Sequence, residues 1–166
     1  MTARPEESTI IREATPLDAE GIARARVEGW QAAYRGIVPD AFLDEMSVEA
    51  DLERMKGWSW ESETVPQWVC EVGGQVVGWA CMLMPARDAS LGDDVAEIAA
   101  CYVRPAFWGR GLGRLLMTTA LEAARSIEKS AVASGFSRTT LEPSGSIVVR
   151  GSPWTVREGP RVRFRV

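Results

Sequence analysis

The segment VRPAFWGRGLGRLL, Val103 to Leu116, joins an apolar run (Val95 to Val103) to an apolar-periodic helix through a turn with three glycines. This juncture limits the fold more than any other stretch. A strand must end and a helix begin within a few residues, at a place where glycine lets the backbone turn freely. The first amides of a helix have no intrahelical partner, so a turn of this kind aims several N–H groups at one point. Gly109, Gly111 and Gly113 carry no Cβ and let a ligand come close to the backbone, while Arg104, Arg110 and Arg114 add positive charge. The expected ligand is a phosphate or pyrophosphate.

The rest of the composition narrows what such a site can serve. A chain of 166 residues, 46% hydrophobic and 25% charged, fits one domain (1–166) with one sizeable core. The net charge of −4 disfavours nucleic acid as a partner, so the arginines near the glycines read as a local site. No apolar run approaches membrane-span length, and MTARPEEST lacks the apolar region of a signal peptide, so no membrane partner and a cytoplasmic location are expected. The absence of histidine excludes Ser-His-Asp and Cys-His catalysis and His-ligated metal, and no metal site is expected. Proton transfer must then use carboxylates, Tyr, Cys, Lys or water. Cys70, Cys81 and Cys101 are odd in number, lie in apolar runs, and read as reduced core residues.

Residues 8–13 (STIIRE) read as a first strand, and Thr15-Pro16 opens a helix whose stripe is Ala23, Val27, Trp30 and Tyr34. Gly36 and Pro39 end it, Asp40 to Met46 reads as a short helix, and Ser47 caps another that reaches about Lys56. Gln67 to Val72 and Gln75 to Met84 read as a hairpin around Gly73-Gly74. Val95 to Val103 is nearly continuous in apolar residues, which predicts a central strand buried on both faces. The helix beyond the glycines is expected to bury Leu112, Leu115, Leu116, Thr119, Ala120, Ala123 and Ile127. Patterning is clear over 1–129 and changes after it. Half of the chain's twelve serines lie in residues 130–152, and no clear period returns until RVRFRV, Arg161 to Val166.

A glycine turn alone is a weak signal, and a tight strand-to-helix connection is the bland alternative. A Rossmann site needs G-x-G-x-x-G, but Arg114 and Leu116 interrupt that spacing; a P-loop needs a G-K-S/T ending that is absent, which disfavours a nucleotide hydrolase. In context, EIAACYVRPAFWGRGLGRLL resembles the acetyl-CoA signature of the GCN5-related N-acetyltransferase (GNAT) family, Gln/Arg-x-x-Gly-x-Gly/Ala, with Trp108 in the Gln/Arg position. VEGWQAAYRGIVPDAFLDEMS is similar to the first helix and following loop of many bacterial members. The resemblance covers about residues 8–128.

The resemblance implies an α/β (α+β in some schemes) fold: a mixed, mostly antiparallel sheet flanked by helices, with a V-shaped split for acetyl-CoA. It implies acetyl transfer from acetyl-CoA directly to a primary amine of a small molecule or peptide. The amides of Arg110, Gly111, Leu112, Gly113 and Arg114, beside Trp108 and Gly109, would hold the pyrophosphate. The backbone around Cys101, Tyr102 and Val103 would pair with pantetheine as an added strand does. Glu97 is the candidate base; a carboxylate among apolar neighbours is expected to have a raised pKa. Asp93 and Asp94 are weaker candidates. Trp30 and Tyr34, with the loop from Arg35 to Asp40, are the candidate acceptor site, against plain packing. A homodimer is compatible with all of this.

The tail departs from the family. The expected strand, N-x-R-A-x-x-F-Y helix and G-F have no match in residues 130–166, and Tyr34 and Tyr102 are the only tyrosines. Joining the third base of each codon to the first two of the next, from Ala133 to Val148, permits Leu-Trp-Val-Leu-Glu-Asp-Asn-Ala-Arg-Ala-Val-Gly-Phe-Tyr-Arg. That translation is similar to the missing segment. With 17 Arg against two Lys, a GC-rich gene is implied, and a pair of compensating frameshifts over about residues 130–156 is the expectation. A divergent Ser-rich tail is the alternative. A catalytically impaired acyl-CoA-binding or partner-binding domain is then the rival to the enzyme.

Overall fold

The computed structural model describes residues 7–127, 129, 131–134, 137–141, 147–151 and 163–164. Gly73 and Gly74 take φ of +57° and +80°, the left-handed pair that a tight hairpin needs, and β2 (Gln67–Val72) and β3 (Gln75–Leu83) pair around them. β1 (Thr9–Glu13) adds to the other edge of β2, and β4 (Val95–Val103) to β3, both antiparallel. The later strands are β5 (Ala131–Ser134), β6 (Ser137–Leu141), β7 (Ile147–Gly151) and β8 (Arg163–Phe164). Among the described residues these eight form one sheet in chain order, and only the β4–β5 strand pair is parallel. The mixed, mostly antiparallel α/β sheet expected from the sequence is present.

Helices cover both faces. Side chains alternate across β2, so Trp68, Cys70 and Val72 pack on one face with α4 (Leu112–Ser126), through Leu112, Leu116, Ala120, Leu121 and Ala124. Val69, Trp79 and Cys81 pack on the other with α1 (Ala19–Ala33) and α3 (Val48–Met55), through Ile22, Ala23 and Met55. Each start signal has its physical counterpart. Asp18 accepts from the Thr15 amide at 2.8 Å as α1 approaches, and Ser47 Oγ accepts from the Ala50 amide at 3.1 Å to cap α3. A short α2 (Asp40–Glu45) lies between them.

The sheet splits beside β4. β5 pairs only with Val95 to Ile98, and Ala99 to Val103 have no β5 partner. On the β3 side, Cys81 pairs with Ala100 and Met82 with Ile98, so Ala99 is an extra, bulged residue at the point of divergence. This corrects the expectation of a strand buried on both faces. Val95 to Ile98 are buried, and Ala99 to Val103 are half-buried because the neighbouring strand has left.

Two further stripes differ from expectation. On α4, Leu121 and Ala124 take core places, while Leu115 and Ile127 are 45% and 46% exposed at its flank. On α1, Ala23 and Val27 are buried with Ile22 and Ala25, but Trp30 and Tyr34 reach past the core and are half-buried. In the tail, AVAS, SRTTL and IVVRG form strands where no period was read. Each is too short to show one, and the serines and glycines between them blur the edges. The frameshift expectation falls partly on residues 135–136, 142–146 and 152–156, which lie outside the described residues.

Candidate active site

The glycine turn joins β4 to α4 through two left-handed glycines. A one-turn helix, Pro105–Phe107, follows β4, and Gly109 and Gly111 both take φ of +77° before α4 begins. A Cβ added at either would meet nothing within 4 Å, so the turn faces open space that a side chain would fill. Gly111 caps α4 with no side-chain hydrogen bond. Its carbonyl accepts from Leu115, and the amides from Gly109 to Arg114 donate no hydrogen bond among the described residues. Arg110 stacks over Phe107 at 5.3 Å and reaches Glu7 at 3.4 Å. Arg104 turns away, donating to Glu28 Oε2 at 2.9 Å.

The strand edge left by the split opens into a cleft of about 310 Å³. Cys101, Tyr102, Val103 and Trp108, all named from the sequence, line it, with Tyr34 and Met117. The Trp108 indole Nε1 donates to the Val103 carbonyl at 2.6 Å. Burial raises the Cys101 thiol to about 11, so it stays protonated and fits the packing role read for it. Burial, reinforced by the neighbouring Tyr102, also raises the Tyr34 hydroxyl above its usual value.

A second cleft, about 460 Å³, lies on the α1–α3 side and was not read from the sequence. Trp58, Trp79 and Tyr102 form its wall, with ring centroids 5.6 and 6.0 Å apart and planes within 25°. Arg26 and Arg54 complete it. Ala99, Ala100 and Tyr102 line both clefts, so the two cavities meet at the β4 bulge. Trp30 holds Tyr102, which lines both clefts, its Nε1 donating to the Tyr102 hydroxyl at 2.9 Å. The structure thus brings Trp30, Tyr34 and Tyr102 together. Trp58 and Trp79 join them from residues distant in sequence, so only the count of tryptophans hinted at a cluster.

Glu97 is placed differently from expectation. It is 7% exposed and lines neither cleft. Its carboxylate accepts from the Arg87 amide at 3.0 Å and from the Arg87 guanidinium at 3.1 Å. The guanidinium bond outweighs the cost of burial and lowers the Glu97 pKa, the reverse of the raised value expected from its apolar neighbours. The sequence showed the apolar run but not the arginine ten residues earlier that folds back on it. Among the described residues no cluster of His, Cys, Asp and Glu is arranged to hold a metal ion, and no helix is long and apolar enough to cross a membrane.

A glycine turn at a helix start, beside a strand edge freed by a splayed sheet, is the architecture this chain shares with acyl-transfer folds. The chain belongs to the acetyltransferase (GNAT) family, whose model matches residues 27–137. Solved structures of low identity share the fold. The PaiA N-acetyltransferase from Thermoplasma acidophilum, in complex with coenzyme A, is 13% identical, with a TM-score of 0.61 over 87% of this chain and 99% of that one. A GCN5-related N-acetyltransferase from Kribbella flavida is 21% identical, with a TM-score of 0.56 over 84% and 73%. The aminoglycoside N-acetyltransferase AAC(6')-Iy, in complex with CoA, is 17% identical, with a TM-score of 0.56 over 82% of each chain. No curated protein matches the sequence.

Proposed function

We propose that this protein transfers an acetyl group from acetyl-CoA directly to a primary amine of a small molecule or peptide. The observation that carries this reading is the meeting of two clefts at Ala99, Ala100 and Tyr102. One cleft continues the strand edge beside the glycine turn, and the other is walled by aromatic rings.

The residues fit acetyl-CoA. We read the amides from Gly109 to Arg114, which donate no hydrogen bond among the described residues, as the donors to its pyrophosphate, with open space beside Gly109 and Gly111. The Ala99–Val103 edge has no β5 partner and offers its backbone to an extended amide chain, as strand addition requires, with the Val103 carbonyl held by Trp108. Bound there, acetyl-CoA supplies the activated thioester. Bringing that group and an amine to a common wall supplies much of the rate through proximity. The half-buried Tyr34 hydroxyl, raised by desolvation above its ordinary value, is protonated at neutral pH, and we assign it as the proton donor for the leaving thiolate.

Glu97 is a poor direct base while Arg87 holds both its oxygens. We assign it to positioning: it ties the segment before β4 to the strand that carries the bulge. The test combines calorimetric binding of acetyl-CoA with steady-state thiol release over a panel of amines. Binding with turnover supports the proposal. Binding with no turnover on any amine supports an acyl-CoA-binding or partner-binding domain instead. Absence of binding overturns both.

A further inference from the structure

We propose that the acceptor carries a carboxylate or similar anionic group next to an apolar, flat body, with Arg26 and Arg54 holding the anion. This rests on the reading that the aromatic cleft receives the acceptor. Asp51 is 6% exposed and, among the described residues, is the single carboxylate paired with both arginines. Arg26 spends one nitrogen, Nη1, on both Asp51 oxygens at 2.7 and 2.8 Å. Arg54 spends Nη2 on one of them, at 3.0 Å. Neither guanidinium makes another hydrogen bond among the described residues. Two guanidiniums against one carboxylate leave one positive charge on the cleft wall, with nitrogens still able to donate. A guanidinium fork is matched to a carboxylate.

The rest of the cleft sets the body and the direction. The Arg26 guanidinium lies 5.4 Å from the Trp30 ring, whose Nε1 donates to the Tyr102 hydroxyl. The near-parallel row of Trp58, Trp79 and Tyr102 offers flat faces for stacking. Gln67 adds little polarity, because its Oε1 already accepts from Trp79 Nε1 at 3.0 Å. With the anion at Arg26 and Arg54, the amine points to Ala99 and Ala100, where the second cleft begins. The same positive charge disfavours an ammonium and so favours the neutral amine that transfer requires. One feature competes: beyond Ser62 and Gln67 a neighbouring groove is lined by Glu13, Glu61 and Glu63, which suits a cationic acceptor instead.

Equilibrium binding read by quenching of tryptophan fluorescence separates these, because Trp58 and Trp79 line the cleft. The whole protein, with CoA present, is titrated with L-phenylalanine, 4-fluoro-L-phenylalanine, their decarboxylated amines, and spermidine. The expected result is that at least one amino acid binds tenfold or more tightly than its decarboxylated amine. Arg54→Gln removes that preference and Arg54→Lys retains part of it. Arg54 is chosen because it is 48% exposed and its loss leaves Asp51 paired with Arg26. The proposal is overturned if no carboxylate-bearing compound binds, if the decarboxylated amines or spermidine bind as well or better, or if Arg54→Gln weakens all ligands equally. Thiol release on the same panel tests the enzyme reading separately. Preferential binding without transfer to any amine keeps this inference and rejects the acetyltransferase.

Discussion

The indole Nε1 of Trp108 donates to the backbone carbonyl of Val103 at 2.6 Å, across the mouth of the strand edge. Val103 ends the stretch of β4 that has no β5 partner, and its carbonyl is one of the acceptors an added extended chain would use. Trp108 therefore both lines the cleft and occupies one of its hydrogen-bonding groups. Trp108→Gln is expected to free the carbonyl and tighten acetyl-CoA by about 3- to 10-fold, near the net worth of one hydrogen bond. Calorimetry measures it; unchanged or weaker binding would show that the indole does not compete.

Gly111 separates strain from ligand space. At φ +77° an alanine costs about 1–2 kcal/mol of backbone energy, although its Cβ meets no protein atom within 4 Å. Gly111→Ala is expected to lower the melting temperature by a few degrees and to weaken acetyl-CoA more than tenfold, because the methyl enters the open space beside the turn. Thermal denaturation and calorimetry on one preparation distinguish the two effects. Lost stability with full affinity would rule out the turn as the pyrophosphate site.

Tyr34→Phe removes the hydroxyl and keeps the ring that sits 4.7 Å from Trp30. A positioned acid contributes about 10²–10⁴-fold, so kcat is expected to fall by about 100-fold with KM for acetyl-CoA little changed. Burial raises the Tyr34 pKa above 10, so the wild-type rate should show no loss from this group below that pH. A drop in kcat of less than threefold would assign the proton to water.

Most of the scaffold was legible because its signals are local. Gly73-Gly74, the Ser47 cap and the turn glycines Gly109 and Gly111 act on their own neighbours in sequence, and the hairpin, the cap and the strand-to-helix turn fall where expected. The split was legible only through resemblance. Nothing in VAEIAACYV shows that β5 leaves after Ile98, because strand divergence is set by a partner thirty-odd residues away. Glu97 was misread for the same reason: its environment is decided by Arg87, which the apolar run conceals. The acceptor-side cleft depends on Trp58 and Trp79 meeting Tyr102, and no periodicity links them.

Asp18 and Glu97 are expected to contribute to the acid limit of stability. Asp18 is 5% exposed and accepts from both terminal nitrogens of Arg12 at 2.8 Å, and from the Thr15 amide and hydroxyl at 2.8 and 2.9 Å. The Arg12 bonds are the main cause of its lowered pKa, as the Arg87 bonds are for Glu97. A carboxylate whose folded pKa lies below its unfolded value stabilises fully above the unfolded value, near 3.8 for Asp18 and 4.5 for Glu97. That stabilisation is lost as pH falls through the folded values. The denaturation midpoint is therefore expected to be flat with respect to these two groups at neutral pH and to drop below about pH 4.5. Asp18→Asn should cost about 1–3 kcal/mol at pH 7, from an Arg12 left with fewer partners beside a buried site, and should flatten the acid slope. Glu97→Gln should cost less, because Arg87 is 64% exposed and water screens the pair, and its kcat/KM should stay within about threefold of wild type. A rate loss of 100-fold or more in Glu97→Gln, with a shifted acid limb in kcat, would return Glu97 to the role of base.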